Sequence, residues 1–364
     1  GMVAEGDYRS DKGELLVRNG DTITQRHLDL IRRRNIFELH VQTDDDDEIE
    51  SLLSKEIEDI GELDLDGDSI SRGEAKRRES AKEELDALNS SEQAMDLDRA
   101  LKKQTISDRP VGPALKDKAT CMTVADRTEE YKTGMVSSYD TALAETTNLL
   151  NTLAADTGIN GKTVRNIVER FVEIFVTDRN ILLALSGVKH AGEDYIYNHS
   201  LNVCLLSINI AAASGYGRNQ VVEIGMGALL HDIGMLLINN AIRTKKGKLT
   251  QAEWFEVQKH PILGLHRLEK VKGLPVSIPF VAYQVHEREN AIGYPKKRHS
   301  VLIHRFAKIA QLADVYEAMT SPRSYRAPLA PYNAMAQIIK MARAGLISGE
   351  YVKALLEYAS LFPV

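Results

Sequence analysis

Histidine and aspartate side chains of the kind that bind metals are concentrated in one part of the chain. Six of the ten histidines fall between residues 190 and 286. Four of these and two aspartates lie on or beside otherwise apolar helical segments: His199, His231, Asp232, His260, His286 and Asp314. Imidazole and carboxylate groups bind iron, zinc, manganese or nickel, and in an apolar core they must be paired or metal-bound. A single histidine on an apolar face is more often a hydrogen-bonded core residue, but the ordered set predicts a metal site.

The number of ligands favours a pair of ions. The set would form about seven metal bonds if Asp232 bridged both ions, and two octahedral ions offer roughly twelve positions. About five positions would remain for water, hydroxide and substrate oxygens. Two ions about 3.5–4 Å apart can deprotonate a bridging water and stabilise in-line displacement at phosphorus. The set therefore predicts a hydrolytic centre in which His231 and Asp232 are the catalytic pair.

Helices must position these side chains. From about residue 131 onward, apolar residues recur with a helical period. The adjacent His231 and Asp232 lie at the end of an apolar helix that Gly234 is expected to stop. The C-terminal two-thirds of the chain therefore reads as a helical bundle, and the helices from residue 195 onward are predicted at 195–214, 218–231, 251–259, 276–287, 301–319, 331–344 and 349–358.

The N-terminal part has a different pattern. Residues 1–43 predict a small α/β module, with strands within 13–20 and 36–41 and a helix at 24–34. No chemistry is visible in it, and a regulatory role is expected. An acidic block begins at Asp44, and residues 71–105 predict a charged, solvated helix. The predicted domains are thus a module at 1–43, an acidic and helical linker at 44–125, and a mostly helical domain at 126–364.

Composition excludes several classes of protein. A net charge of −6, from 46 basic and 52 acidic residues, argues against a general DNA-binding protein. The longest apolar stretch is too short to span a bilayer, and no secretory signal is visible. Cys121 and Cys204 are the only cysteines, which fits a reducing compartment. We therefore expect a cytoplasmic protein with no membrane span and no DNA partner.

The order of motifs resembles the HD superfamily and, within it, the HD-GYP family of bacterial phosphodiesterases that hydrolyse cyclic di-GMP. The resemblance runs from about Asp178 to the end, roughly half of the chain. It is carried by His199-Ser-Leu-Asn-Val, His231-Asp-Ile-Gly, Gly247-Lys-Leu-Thr-Gln-Ala-Glu, His260-Pro-Ile-Leu-Gly, His286-Glu-Arg, Gly293-Tyr-Pro, Ala313-Asp and Ala318-Met-Thr-Ser-Pro-Arg-Ser-Tyr-Arg.

This resemblance implies an all-helical HD-type bundle and a metal-dependent phosphodiesterase. The six residues named above would hold two divalent metal ions, expected to be iron, with manganese or another transition metal as alternatives. A hydroxide bridging the ions would attack phosphorus and release pGpG or GMP.

The resemblance also implies substrate contacts. The basic contacts of the family fall on Arg323 and Arg326, whose guanidinium groups suit bidentate contact with phosphate; solvated or helix-capping arginines are the alternative. Tyr294 would either stack on a guanine or fix the loop, and Lys296 begins a basic cluster next to it. Glu287 is expected to orient a metal ligand or this loop.

Four positions depart from the family pattern. Met235 replaces a lysine that could donate a proton or bind phosphate. Val285 replaces the first of two adjacent histidines, so the second metal should bind more weakly. Tyr195 replaces a glutamate that holds a third ion in some members, so at most two ions are expected. Asn290-Ala-Ile replaces Asp-Gly-Ser, which makes the loop stiffer.

These departures leave two alternatives to an active enzyme. The chain could be a weak or inactive receptor that binds cyclic di-GMP, or that docks a protein partner through the Gly-Tyr-Pro loop. It could also be an HD phosphohydrolase that acts on another nucleotide. The oligomeric state does not follow from the sequence.

Overall fold

The structure is a computed structural model that divides into two compact units, Gly1–Ile60 and Gly61–Val364. It describes residues 7–9, 15–17, 40–42, 72–92, 95, 99, 108–120, 122–123, 126–156, 158–188, 195–245, 247–322 and 327–359. The predicted boundaries at residues 43 and 125 stay predictions.

The N-terminal unit contains a three-stranded antiparallel sheet in the order β2–β1–β3. Strand β2, Leu15–Val17, lies within the strand predicted at 13–20, and β3, His40–Gln42, overlaps the one predicted at 36–41. Strand β1, Asp7–Arg9, was not predicted. The helix predicted at 24–34 lies outside the described residues.

The second unit consists of helices joined by loops and has no β-strand among its described residues, which confirms the predicted mostly α fold class. Its α-helices are α1 Arg72–Asn89, α2 Glu129–Ala154, α3 Gly161–Thr177, α4 Arg179–Ser186, α5 Tyr195–Ala213, α6 Arg218–Leu230, α7 Asn240–Arg243, α8 Gln251–Val257, α9 His260–Leu268, α10 Ser277–Gln284, α11 Arg305–Thr320, α12 Pro331–Arg343 and α13 Gly349–Ala359. Short 3₁₀ turns occur at Leu115–Lys118, Ile233–Leu237 and Ser300–Leu302.

The core is built around α5 and α6. From Asn198 to Ala212 every residue of α5 is buried, and α6 is buried from Val221 onward except at Glu223. A helix that is apolar on all sides lies in the interior of a bundle. The segment Arg218–Leu237 is long and apolar enough to cross a membrane by composition alone, but 67% of its most apolar window is buried inside the protein.

Helix α1 was predicted to be solvated, but one side of it packs against the bundle. Ala81 and Leu85 are buried, and Leu85 belongs to one apolar cluster with Ile262, Leu265, Phe280 and Tyr283. Leu88 packs against the same cluster. These apolar residues are spaced three or four positions apart, so they form one stripe on an otherwise charged helix. The stripe anchors α1 beside the helix that begins at His260.

Candidate metal centre

The adjacent His231 and Asp232 lie where the chain leaves α6. The helix ends at Leu230, and a 3₁₀ turn, Ile233–Leu237, follows Asp232. The prediction that Gly234 stops the helix is wrong, because α6 has already ended four residues earlier. A Cβ atom on Gly234 would lie 1.9 Å from the main-chain oxygen of His260. The missing side chain therefore lets the turn pack against α9, which brings Asp232 next to His260.

The structure brings all six predicted metal ligands together in two groups. One group contains His199, His231 and Asp314, and the other contains Asp232, His260 and His286; within each, the potential ligand atoms lie within 4.8 Å of one another. Helices α5, α9 and α11 and the ends of α6 and α10 supply them. Residues that lie more than a hundred positions apart in the sequence thus converge on one site.

Asp232 belongs to the second group and also faces two histidines of the first. Its Oδ1 atom is 3.4 Å from His260 Nε2, 3.5 Å from His286 Nε2 and 3.4 Å from His231 Nε2. Its Oδ2 atom faces His199 Nε2 at 3.7 Å. A carboxylate placed between two ligand groups in this way can give one oxygen to each of two ions.

Two imidazole rings direct their Nε2 atoms to the site. His231 Nδ1 donates to the main-chain oxygen of Ala228 at 2.7 Å, and His260 Nδ1 donates to that of Val257 at 2.8 Å. Because a carbonyl only accepts hydrogen bonds, the neutral form of each ring has its proton on Nδ1 and leaves the Nε2 lone pair for a metal.

Four buried atoms that face the site have no hydrogen-bond partner among the described residues: His231 Nε2, Asp232 Oδ1, His260 Nε2 and His286 Nε2. Buried polar atoms are nearly always paired, so a cluster of unpaired ones needs an explanation. Divalent cations provide it, since three imidazole nitrogens and a carboxylate oxygen are their ordinary donors. The residues therefore fit a metal pair.

Glu317 supports His199 and was not singled out from the sequence. Its fully buried carboxylate accepts a 2.6 Å hydrogen bond from His199 Nδ1. Tyr195 Oη, Asn202 Nδ2 and Ser321 Oγ also donate to it. Glu317 follows Asp314 by three positions on α11, so the two carboxylates share a helix face; that spacing was the available signal.

Nearby charges and burial shift the pKa values of His199 and His286 in opposite directions. Burial by itself would lower the pKa of His199, but the carboxylates of Glu317 and Asp314 outweigh it and raise that pKa to about 9. Burial lowers the pKa of His286 to about 4, so its ring is neutral. Burial would raise the pKa of Asp314, but His199 lowers it to about 2. The pKa of Asp232 lies well below its usual value, because the neighbouring imidazoles, led by His231, outweigh burial.

Glu287 organises the loop at residues 293–298. Its buried carboxylate accepts from the main-chain N–H groups of Lys296 and Arg298, each at 2.8 Å, and from the Arg298 guanidinium at 2.9 Å. Tyr294 on this loop stacks on His286, with ring centroids 4.9 Å apart and planes 12° apart. Of the two roles expected for Glu287, these contacts are those of a residue that orients the loop.

The residues predicted to contact the substrate differ from one another in their surroundings. One face of the Tyr294 ring is covered by His286, as expected of a tyrosine that fixes the loop. The Lys296 ammonium donates to the main-chain oxygen of Asn89, the last residue of α1. Arg323 and Arg326 lie outside the described residues, so their predicted role stays a prediction.

The residues that depart from the family pattern also have clear environments. Val285 is fully buried in the core next to His286, and Met235 is half-buried in the turn after Asp232. Tyr195 donates to Glu317. Ala291 has a φ of +66°, the left-handed conformation that glycine adopts readily. The loop thus keeps a glycine-like backbone although alanine stands at this position.

Comparisons with known proteins agree with this geometry. Residues 193–348 match the family model described as HD domain. This part of the chain is therefore similar to HD domains. It is similar to a cyclic di-GMP phosphodiesterase of Pseudomonas aeruginosa, with 33% identity over 186 residues that cover 51% of this chain and 44% of the relative. A 3'3'-cGAMP-specific phosphodiesterase of Vibrio cholerae is 31% identical over 183 residues, covering 50% of this chain and 39% of the relative.

The chain is also similar in fold to a solved structure. An HDG"Y"P protein from Bdellovibrio bacteriovorus superposes with a TM-score of 0.52 at 14% identity, covering 99% of this chain and 96% of that one. At this identity the similarity concerns the fold alone. The chain spans less than half the length of the two curated relatives, at 44% and 39%. The match to the HD domain model and the similarity to these phosphodiesterases agree with the expected resemblance to the HD-GYP family, from which the chain departs at the positions noted above.

Proposed function

We propose that this chain is a metal-dependent phosphodiesterase that hydrolyses cyclic di-GMP to pGpG or GMP. One observation carries the proposal: two groups of three ligands meet at Asp232, and the atoms facing the site have no other partner among the described residues. The substrate class is supported by the names of the similar proteins, which are phosphodiesterases specific for cyclic dinucleotides.

The residues have separate tasks in this proposal. His199, His231 and Asp314 would hold one ion, and Asp232, His260 and His286 the other. Two divalent ions, iron or manganese by the family resemblance, supply the Lewis acidity that activates water and offsets phosphate charge when they are bound. The chain itself fixes the ring orientations, through the carbonyls of Ala228 and Val257 and the carboxylate of Glu317.

Substrate binding is assigned to the loop and to the stretch after α11. Arg323 and Arg326 would contact the phosphates, since a guanidinium pairs with phosphate in a bidentate manner. Tyr294 would form part of the nucleotide-binding wall with its uncovered edge. The proposal assumes a cytoplasmic enzyme without a DNA partner, as the charge and the two cysteines indicate.

A second candidate is a receptor that binds the nucleotide without hydrolysing it. Met235 favours it, because a half-buried methionine three residues after Asp232 can neither donate a proton nor bind phosphate. In this case the Gly-Tyr-Pro loop would serve to dock a protein partner. A third candidate is hydrolysis of another nucleotide, of which 3'3'-cGAMP is the first to test.

The test uses protein purified without oxygen and loaded with Fe(II) or Mn(II). Cyclic di-GMP and 3'3'-cGAMP are incubated with it, and products are separated by chromatography while metal per chain is measured. We expect linear product from cyclic di-GMP, and loss of both product and metal in Asp232→Asn. Asp156→Asn, at a surface carboxylate paired with Arg267 and Lys270, is the matched control.

Three results would change the assignment. Intact cyclic di-GMP after incubation with fully metal-loaded protein would refute the proposed phosphodiesterase function. Micromolar binding measured by calorimetry in the same preparation would then favour the receptor function. Faster turnover of 3'3'-cGAMP would move the assignment to the third candidate.

A further inference from the structure

The end of helix α1 contacts the loop at residues 293–298 directly. The Asn89 side-chain amide donates to the main-chain oxygen of Pro295 at 3.1 Å. In return, the Lys296 ammonium donates to the main-chain oxygen of Asn89. Asn89 is half-buried, and its Oδ1 atom has no hydrogen-bond partner among the described residues, so the Nδ2 bond to Pro295 is what orients this side chain.

The position of α1 is itself fixed at two points. Lys259 is buried, and its ammonium lies 2.6 Å from Glu84 on α1 and 2.7 Å from Glu256. Leu85 packs into the apolar cluster described above. A cation near the last carbonyls of a helix is also favourable because it meets the negative end of the helix dipole, and Lys296 occupies that position on α1. Asn89 is therefore held by a well-anchored helix.

The same loop also contacts two of the candidate metal ligands. Tyr294 immediately precedes Pro295, and its ring stacks on His286 and meets the edge of His260 at 6.0 Å. Glu287 holds the following part of the same loop through the main-chain N–H groups of Lys296 and Arg298. The main-chain N–H of Tyr294 also donates to the oxygen of His286 at 3.0 Å. The contacts from α1 therefore add to the supports that the loop has within the bundle.

We infer that Asn89 is a positioning residue, which acts through Pro295 and Lys296 to hold Tyr294 at the nucleotide-binding wall of the site. This inference rests on the proposed function for its kinetic consequences, but not for its structural ones. The sequence places Asn89 in the linker, where no site residue was expected, and it reaches the site because α1 packs against α8 and against the apolar cluster around Leu85.

The chain contains its own reporter for the loop. Trp254 is the only tryptophan, it is 8% exposed, and its ring meets the edge of Tyr294 with centroids 5.6 Å apart. A shift of Tyr294 opens one side of Trp254 to water. The emission maximum and acrylamide quenching of Trp254 therefore measure the loop position without any substrate or metal.

The experiment compares Asn89→Leu, which removes the donor at similar volume, and Lys296→Met, which removes the ammonium and keeps the aliphatic stem. Each is expected to shift Trp254 emission to the red and to raise KM for cyclic di-GMP about fivefold, the effect of one lost hydrogen bond. The kcat value and the metal content per chain should stay unchanged. Because both substitutions release the same loop, the double variant should have no higher KM and no larger shift of Trp254 emission than the more strongly affected single variant.

The control is Glu83→Ala, at an exposed position of the same helix, which should leave both readouts unchanged. If Asn89→Leu does not fold, Asn89→Asp, which has the same shape and cannot donate, replaces it. Wild-type emission and KM in the Asn89 variants would overturn the inference, and so would a fall in kcat and metal content together. If the wild-type chain hydrolyses nothing, the proposed function fails, while unaltered Trp254 emission is still needed to reject the positioning role.

Discussion

Replacing Glu317 by glutamine tests whether the buried carboxylate next to His199 serves the metal site. Four donors converge on this carboxylate: His199 Nδ1, Tyr195 Oη, Asn202 Nδ2 and Ser321 Oγ. A carboxylate only accepts, so it satisfies all of them, whereas glutamine offers one oxygen and places an NH2 group among donors. The substitution keeps the shape and removes both the charge and part of the acceptor capacity.

The expected loss has two parts. Carboxylates that orient a metal-bound histidine typically contribute 10–100-fold in metal affinity, about 1.4–2.7 kcal/mol. A buried donor left without a partner costs about 1–3 kcal/mol of stability. Because Glu317 accepts from His199, a member of the first ligand group, the first ion should be weakened more than the second.

The assay is an anaerobic titration with Mn(II) against a competing chelator, together with denaturant unfolding of the metal-free protein. We expect two binding steps in the wild type and selective weakening of one step in Glu317→Gln. Glu253→Gln is the matched control, since glutamine can keep the capping box that Glu253 forms with Thr250. Equal weakening of both steps, or no change in either, would refute the reasoning.

The remaining predictions concern backbone fit and one buried histidine. Gly234→Ala should cost more than about 2 kcal/mol of stability and abolish metal binding, because its Cβ would meet His260 at 1.9 Å, whereas Gly247→Ala, with open space around it, should do neither. Ala291→Gly should raise the free energy of unfolding by about 0.5 kcal/mol, and with it the urea midpoint, since relief of the left-handed strain exceeds the added chain entropy. A lower midpoint would contradict this. Burial lowers the pKa of His304 to about 4 in the folded protein, against an unfolded-state pKa near 6.5. Between pH 6.5 and 4 the unfolded chain binds a proton at His304 that the folded protein does not. The free energy of unfolding should therefore fall by up to about 3 kcal/mol as the pH is lowered from 6.5 to 4. His304→Asn keeps a capping oxygen and should flatten that part of the stability profile in urea titrations; an unchanged profile would exclude His304 as the source.

The sequence predicted the helices well because their burial leaves a strong periodic pattern. The helix predicted at 195–214 is found at Tyr195–Ala213, and those predicted at 218–231 and 331–344 end within one residue of their observed ends. Helix α9 was not predicted, although Pro261 lies in its first turn, where proline is favourable. The six candidate metal ligands were selected by residue type and order, and the structure brings them close together.

Contacts between distant segments could not be predicted in the same way. Asn89 and Lys296 are 207 positions apart, and nothing in either neighbourhood indicates the other. Residues 71–105 were interpreted as a solvated helix because charges dominate them, while the narrow stripe around Leu85 decides how α1 packs. Gly234 was interpreted as a helix stop because glycine commonly ends helices, whereas its role here depends on how closely α9 approaches it.

The two ligand groups differ in support more than in number. Each has three protein ligands, so the absence of a histidine at Val285 does not leave one group smaller than the other. In the first group, His199 is held by Glu317 inside the core. In the second, His286 is supported by the Tyr294 ring, which belongs to the loop that Asn89 and Glu287 position. The two groups are therefore supported by different parts of the molecule, the first by a carboxylate inside the core and the second by contact with the loop at residues 293–298.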